Sequence, residues 1–131
     1  MIRFIYGYNP RSHVGQEELN HLRLLNIQDR ISQLMLNNVF KINTGTSPGY
    51  LRENFELAAN VHCFNTRSSC FNFQVPAIRN IAIDTFYYQG IKAWNSLPND
   101  VKRIESYNMF KLKVKSVLAS NSLSRENNDF I

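Results

Sequence analysis

Cysteine is scarce in this chain: Cys63 and Cys70 are the only two among 131 residues. Two cysteines are too few for the disulfide framework of a small secreted domain, so we expect reduced thiols and an intracellular protein, nuclear or cytoplasmic. No apolar run approaches the length of a membrane span. The first residues are not followed by a small-residue cleavage site, so they do not resemble a signal peptide. The sequence therefore indicates neither secretion nor a membrane partner.

Glycine, proline and acidic residues are also few. Five glycines and four prolines exclude a collagen-like or low-complexity chain, and a hydrophobic content of 44% is typical of a globular domain. Ten acidic residues stand against 15 lysines and arginines, which gives a formal net charge of +5. This excess favours polyanionic partners, although many proteins that bind no nucleic acid are also basic.

Carboxylate pairs of the kind that polymerases use are missing. Nucleotidyl transfer needs carboxylates that together hold two divalent cations. The aspartates of this chain are isolated from one another, and each has an ordinary role available in a cap, a turn or the tail: Asp29, Asp84, Asp100 and Asp129. Gly45 and Gly49 fall in a turn that lacks the Lys-Ser/Thr ending of a phosphate-binding loop. We therefore predict no catalytic residue and no cofactor.

A zinc site or a nucleophilic cysteine is not predicted either. His62 and Cys63 lie near Cys70, but the paired Cys-x-x-Cys spacing and a clear fourth ligand are absent. Activation of either thiol by His62 would also require an orienting group and an oxyanion hole, for which the sequence gives no sign. We interpret both cysteines as small buried hydrophobic residues.

Two amphipathic helices around an aromatic–proline elbow dominate the C-terminal half of the sequence. The first is predicted from Thr85 to Leu97, with Asp84 as its N-cap and Pro98 as its end. The second is predicted from Ser106 through Leu118 after a short turn. The apolar residues of both helices recur at helical spacing: Phe86, Gly90, Ala93, Trp94, Leu97, Phe110, Val114, Val117 and Leu118. We interpret Trp94, Pro98 and Phe110 as structural anchors.

A third helix is predicted from Ile27 to about Ile42, opened by a capping box in which Asn26 pairs with Asp29. It is apolar on two sides. One side carries Ile27, Ile31, Leu34, Met35 and Ile42, and Leu36 and Phe40 lie nearly opposite. A helix with two apolar sides needs neighbours on both, and a short chain does not readily supply them. We expect a partner domain to cover one side.

The remaining pattern predicts an α+β fold that is mainly α: several short helices packed with a small β-hairpin. Shorter helices are predicted over residues 15–25 and 48–55. Phe71, Phe73 and Val75 alternate with polar residues, which is typical of a half-buried strand, and His62 to Asn65 is the proposed strand partner. Residues 1–120 are predicted to form a single domain, followed by a frayed polar tail over residues 121–131.

Basic residues interleaved with aromatic ones are the remaining candidate site. The nucleic-acid-binding candidates are Arg67, Lys92, Lys102, Arg103, Lys111, Lys113 and Lys115. These cations also fit an ordinary solvated surface, and lysines near a helix C-terminus complement its dipole. The tyrosines are predicted to complete the core rather than to stack on bases: Tyr50, Tyr87, Tyr88 and Tyr107.

A series of short segments runs along the chain: Arg3-Phe4-Ile5-Tyr6-Gly7, Pro10-Arg11-Ser12-His13-Val14, Arg30-Ile31, Val39-Phe40-Lys41, Pro48-Gly49-Tyr50-Leu51, Thr66-Arg67-Ser68, Trp94-Asn95-Ser96-Leu97-Pro98, Phe110-Lys111, Val114-Lys115 and Leu118. In order and spacing these segments resemble the C-terminal end of reverse transcriptases from non-LTR (LINE-type, jockey-like) retrotransposons. The similarity covers about residues 1–118.

The resemblance implies a region after the polymerase palm, thumb-like, that helps to hold RNA template and nascent DNA without sequence preference. The catalytic Asp-Asp pair of that family is missing, so we expect no polymerase activity from this chain by itself. The resemblance also implies a copy truncated at its N-terminus, whose partner in a full-length protein is an upstream polymerase domain. The alternative is a protein-interaction module that docks its apolar helix faces on a partner domain.

Overall fold

The computed structural model describes residues 1–61, 70–77 and 84–126. Within these ranges the chain is mainly helical, as the sequence predicts. The helices are α1 (Ile2–Ile5), α2 (Gln16–His21), α3 (Ile27–Asn43), α4 (Gly49–Arg52), α5 (Ala58–Val61), α6 (Phe86–Asn95), α7 (Asn99–Lys102) and α8 (Tyr107–Glu126).

Helices α3, α6 and α8 pack around one hydrophobic core. Phe110 and Val114 of α8 are fully buried and so is Ile91 of α6, and Phe40 of α3 stacks on Phe110 with ring centroids 4.4 Å apart. Burial of each such side chain is worth roughly 1.5–3 kcal/mol. The core therefore depends on the three helices whose periodicity is strongest in the sequence.

Gly90 allows α6 to lie close against α3. A Cβ built at this position would lie 3.1 Å from Cγ2 of Val39, which is tighter than ordinary van der Waals contact. The apolar face predicted for α6 therefore includes a glycine because the neighbouring helix occupies the space of a side chain.

The capping predictions for α3 and α6 have different outcomes. Asn26 Oδ1 accepts the backbone N–H of Asp29 at 2.7 Å, which confirms the predicted start of α3. The N-cap of α6 is Thr85, whose hydroxyl accepts the N–H of Tyr88 at 3.4 Å, so the assignment of Asp84 is wrong by one residue. An N-cap side chain bonds an N–H two or three residues ahead, and Thr85 has the extended backbone that this requires.

The predicted β-hairpin is not found in the described residues. Phe73 forms an isolated antiparallel bridge with Leu57, and the proposed partner segment, His62 to Asn65, lies outside the described ranges. Two backbone bonds make the bridge: Ala58 N–H to Asn72 O and Gln74 N–H to Glu56 O. The other side of Phe73 is occupied by a side chain of α6, so the segment pairs with a helix there instead of a strand.

Helix α8 continues to Glu126 and thus passes the predicted boundary at residue 120. Residues 121–126, assigned to the frayed tail, are helical, and residues 127–131 lie outside the described ranges. Ala119 to Glu126 contains no glycine or proline, so nothing in this stretch ends the helix. The short turn predicted after Leu97 includes the single-turn helix α7, which follows Pro98.

Candidate nucleic-acid interface and neighbouring surfaces

The structure describes six of the seven candidate cations and separates them into three groups. Lys92, Arg103, Lys111 and Lys113 are exposed, Lys115 is half-buried and Lys102 is buried. Arg67 lies outside the described residues. The candidate interface therefore consists of the four exposed cations and Lys115.

Lys102 is part of the interior. Its side chain is 7% exposed, and Nζ donates to Asn72 Oδ1 at 2.7 Å and to the backbone oxygen of Asn95 at 3.0 Å. Burial lowers the pKa of this amine because it disfavours the charged form. We remove Lys102 from the candidate interface. Its acceptors lie 7 and 30 residues away in sequence, so no local pattern indicated this role.

Trp94 and Asn95 hold the extended segment around Phe73 against α6. Asn95 Oδ1 accepts the N–H of Phe73 at 2.9 Å, and Asn95 Nδ2 donates to the oxygen of Phe73 at 2.8 Å. Trp94 Nε1 donates to the oxygen of Phe71 at 2.9 Å. We call these three bonds the Trp94–Asn95 clamp. Asn95 is not among the apolar positions predicted for α6, and its contribution was not predicted from the sequence.

Aromatic rings position three of the basic side chains. The guanidinium of Arg103 lies 5.2 Å from the ring centroid of Phe71, and Lys92 Nζ lies 5.4 Å from that of Tyr88. Lys41, outside the candidate set, lies 5.0 Å from the ring of Tyr107. Such cation–π contacts are worth about 0.5–1 kcal/mol at exposed sites and leave the charge accessible. Arg103 is therefore oriented through Phe71, which the Trp94–Asn95 clamp holds.

The tyrosines divide between core and surface. Tyr87 and Tyr107 pack against the core as predicted, and Tyr87 meets Phe55 with ring centroids 5.5 Å apart. Tyr50 is 67% exposed, so the core interpretation is wrong for it.

Helix α8 carries several lysines and no acidic residue until its last position. Phe110 and Val114 point into the core, Lys111 and Lys113 are exposed, and the residues from Tyr107 to Arg125 include no aspartate or glutamate. Gln33 Nε2 of α3 donates to the backbone oxygen of Lys111 at 3.4 Å, so this part of α8 lies beside α3. Lys111 and Lys115, four residues apart, share one flank of the helix, and Lys113 lies on the other.

The N-terminal part of one apolar side of α3 is solvent-exposed. Ile27, Ile31 and Leu34 are 78%, 49% and 48% exposed, whereas Val39 and Phe40 are buried against α6 and α8. We call Ile27, Ile31 and Leu34 the α3 apolar face. Of the predicted side that also includes Met35 and Ile42, Met35 is half-buried and Ile42 is buried, so the described part of the chain leaves uncovered only the stretch from Ile27 to Leu34.

A buried polar row on α3 was missed by the sequence reasoning. Asp29, Gln33 and Asn37, spaced four residues apart, are 3%, 1% and 5% exposed. Within the described structure, Asn37 Oδ1 accepts no hydrogen bond. The spacing of these three residues was visible in the sequence, but polar residues at helical spacing are more often solvated than buried.

No group of three or more histidine, cysteine, aspartate or glutamate side chains with a geometry for metal binding occurs in the described ranges. Cys70 is a free thiol and is exposed, so its interpretation as a buried hydrophobic residue is wrong. His62 and Cys63 fall outside these ranges. Among the described helices, none has the length and apolar character to cross a membrane.

No family model matches this chain, and no curated protein or solved structure matches it either.

Proposed function

We propose that this chain is the non-catalytic C-terminal region of a LINE-type reverse transcriptase that holds RNA template and nascent DNA through exposed cations. Support comes from the ordered sequence segments given above and from the accessible cations Lys92, Arg103, Lys111, Lys113 and Lys115. In a full-length protein the chain would follow a polymerase domain, which would supply the catalytic carboxylates.

The observation that carries this proposal is the charge of α8. Surface helices usually mix charges of both signs, but α8 has lysines at positions 111, 113 and 115 and no carboxylate from Tyr107 to Arg125. Its amines can approach phosphates without first breaking an ion pair along the same helix. Phosphate contacts of this kind favour RNA and DNA alike and carry little sequence preference.

Removal of the α8 lysines tests the proposal. We expect Lys111→Ala/Lys115→Ala to weaken RNA and DNA binding similarly for unrelated sequences, and each lost phosphate contact to reduce the slope of log affinity against log salt by roughly one unit. Exposed lysines contribute little to folding, so the free energy of unfolding is expected to change by less than about 0.5 kcal/mol per residue. The measurement is fluorescence anisotropy at several salt concentrations.

Lys113→Ala is the matched variant on the opposite flank of α8. A larger loss of affinity per lysine in Lys111→Ala/Lys115→Ala than in Lys113→Ala would indicate that the polynucleotide lies beside α3. Unchanged affinities for all variants, with folding intact, would remove α8 from any nucleic-acid surface and contradict the proposal.

A second candidate function is docking on a partner domain, and the exposed α3 apolar face favours it specifically. Contiguous apolar side chains on a small protein mark interaction surfaces or aggregation liabilities. Ile27, Ile31 and Leu34 lie at the i, i+4 and i+7 positions of a helix, the spacing with which one helix packs on another domain.

We expect the isolated chain to self-associate through the α3 apolar face, and the variant Ile27→Gln/Ile31→Gln/Leu34→Gln to remain monomeric at the same concentration. The measurement is sedimentation velocity over a range of concentrations. A control variant changes three exposed apolar residues elsewhere: Tyr50→Gln, Val75→Gln and Met109→Gln. Self-association that the control suppresses as strongly as the α3 variant, or a wild-type chain that stays monomeric throughout, would contradict this candidate.

A further inference from the structure

A groove of about 620 Å³ separates α8 from the segment that follows α2. From α8, Leu112, Lys115 and Ala119 line one wall; from the other side come Arg23, Leu24 and Leu25. Leu112 is 64% exposed and Leu24 is 45% exposed, so the apolar floor is open to solvent. The groove continues into a larger one of about 950 Å³, which shares Leu24, Leu25 and Lys115 and adds Arg30 of α3.

The shape of the groove suits a helix. Leu112, Lys115, Ser116 and Ala119 fall at i, i+3, i+4 and i+7 of α8, which is the ridge that one helix offers to another. Ser116 and Ala119 are small and permit close approach. From Leu112 to Ala119 the wall is about 10 Å long, which is about two turns of a docked helix.

The charge of the groove suits an acidic occupant. Arg23 and Lys115 stand at the rim, Arg30 adds a third cation in the adjoining part, and among the described residues that line either groove there is no aspartate or glutamate. A second copy of this chain has a net charge of +5 and therefore offers no net negative charge to this rim. A polynucleotide fits the rim but not the floor, because bases stack on aromatic rings and none is among the described residues that line the groove beside α8. In the described lining of the adjoining groove the one ring is the imidazole of His13.

The backbone conformation of Arg23 also supports a binding role for the groove. Arg23 has φ 55°, the left-handed conformation that normally belongs to glycine. It ends α2 in a Schellman turn, in which Arg23 N–H bonds Asn20 O and Leu24 N–H bonds Leu19 O. Glycine would form this turn with less strain. Strain at such a position accompanies function more often than it does elsewhere, and here it places a guanidinium at the groove rim.

From the apolar floor, the cationic rim and the strained Arg23 together, we infer that this groove binds an acidic amphipathic helix of a partner protein. The helix places aliphatic side chains on Leu24, Leu25 and Leu112 and its carboxylates on Arg23 and Lys115. The inference concerns the groove beside α8, whose adjoining part includes Ile27 of the α3 apolar face, and it depends on neither proposed function. Lys115 is the one residue it shares with the proposed polynucleotide contacts.

The test uses a fluorescent helical peptide of about 18 residues, long enough to hold helical structure, with leucines at i, i+3, i+4 and i+7 and glutamates on the other face. We expect micromolar binding of this peptide, and binding at least about tenfold weaker for a control in which lysines replace the glutamates. We expect Leu112→Asp to weaken binding of the acidic peptide by a similar factor. The matched control is Tyr50→Asp, since Tyr50 is 67% exposed, much like Leu112, and lies outside the groove.

Variants of Arg23 separate binding from folding. Arg23→Gly and Arg23→Ala both remove the guanidinium, so both are expected to weaken binding of the acidic peptide about three- to tenfold at low salt. Arg23→Gly is expected to melt at a higher temperature than Arg23→Ala, because only glycine relieves the left-handed conformation. A purely structural Arg23 would leave peptide binding unchanged in both.

Equal binding of the acidic and basic peptides would overturn the inference, and so would wild-type affinity in Leu112→Asp. Loss of self-association in Leu112→Asp with no peptide binding would instead assign the groove to a second copy of the chain. Loss of RNA binding in Leu112→Asp, again without peptide binding, would assign it to polynucleotide. Retained peptide binding in Lys111→Ala/Lys113→Ala, beside weakened RNA binding, would show that the two sites are distinct.

Discussion

Trp94→Ala is expected to unfold most of the protein or to lower its melting temperature severely. Trp94 is 1% exposed, its ring lies 5.7 Å from that of Phe110 and 5.8 Å from that of Phe73, and its Nε1 donates to Phe71. Truncation of a buried tryptophan to alanine typically costs about 3–5 kcal/mol, against a total stability of about 5–15 kcal/mol for a whole domain. The measurement is urea denaturation followed by far-ultraviolet circular dichroism.

Trp94→Phe provides the matched control. Phenylalanine keeps most of the ring contacts and loses the bond to Phe71, so we expect an intermediate cost of about 1–3 kcal/mol from the unpaired carbonyl and the lost volume. If Trp94→Ala keeps a wild-type denaturation midpoint and loses only nucleic-acid binding, then Trp94 is a stacking surface and its assignment to the core is wrong.

Asn95→Ala is expected to have the second largest effect. The substitution removes both side-chain bonds of the Trp94–Asn95 clamp to Phe73 and leaves a backbone N–H and a backbone C=O without their partners. Each such group costs about 1–3 kcal/mol when water does not replace the bond. Because Asn95 is half-buried, partial hydration limits the total to about 2–4 kcal/mol. Denaturation midpoints measure this cost directly.

Asn95→Asp separates the two bonds of the clamp by pH. A carboxylate still accepts the N–H of Phe73 but faces the oxygen of Phe73 without a proton, whereas the protonated acid can donate to that oxygen. The folded state therefore favours the protonated form and raises the pKa of the introduced group. Its stability relative to Asn95→Ala is expected to be higher at about pH 4 than at about pH 7. A pH-independent difference would show that the bond to the oxygen contributes nothing.

The parts of this fold that could be predicted from the sequence are those determined by neighbours along the chain. Helix α3 and its Asn26 cap depend on residues within one turn, and the burial of Trp94 and Phe110 follows from apolar spacing within α6 and α8. Asp84 and Thr85 are adjacent and both are competent caps, so local chemistry alone does not choose between them.

The parts that could not be predicted depend on contacts between distant residues. The buried amine of Lys102 donates a hydrogen bond to Asn72, which lies 30 residues away in sequence, and Asn95 bonds the backbone of Phe73, which lies 22 residues before it. Phe71, Phe73 and Val75 do alternate with polar residues in the sequence, but a strand also needs a neighbouring strand on its edges. Here one edge of Phe73 forms an isolated bridge with Leu57, and a side chain of α6 bonds the other. The groove beside α8 depends likewise on the way α2 ends, at a residue whose identity gives no hint of a left-handed turn.

The Trp94–Asn95 clamp also has a consequence for aggregation. An extended segment with unpaired backbone groups on one side is an edge strand, and edge strands recruit other chains into intermolecular sheets. Around Phe73 both edges are filled: Leu57 and its neighbours bond one, and the side-chain amide of Asn95 bonds the other. A single amide thus blocks the growth of a sheet at this point, and loss of Asn95 would expose a β-aggregation template along with the loss of stability.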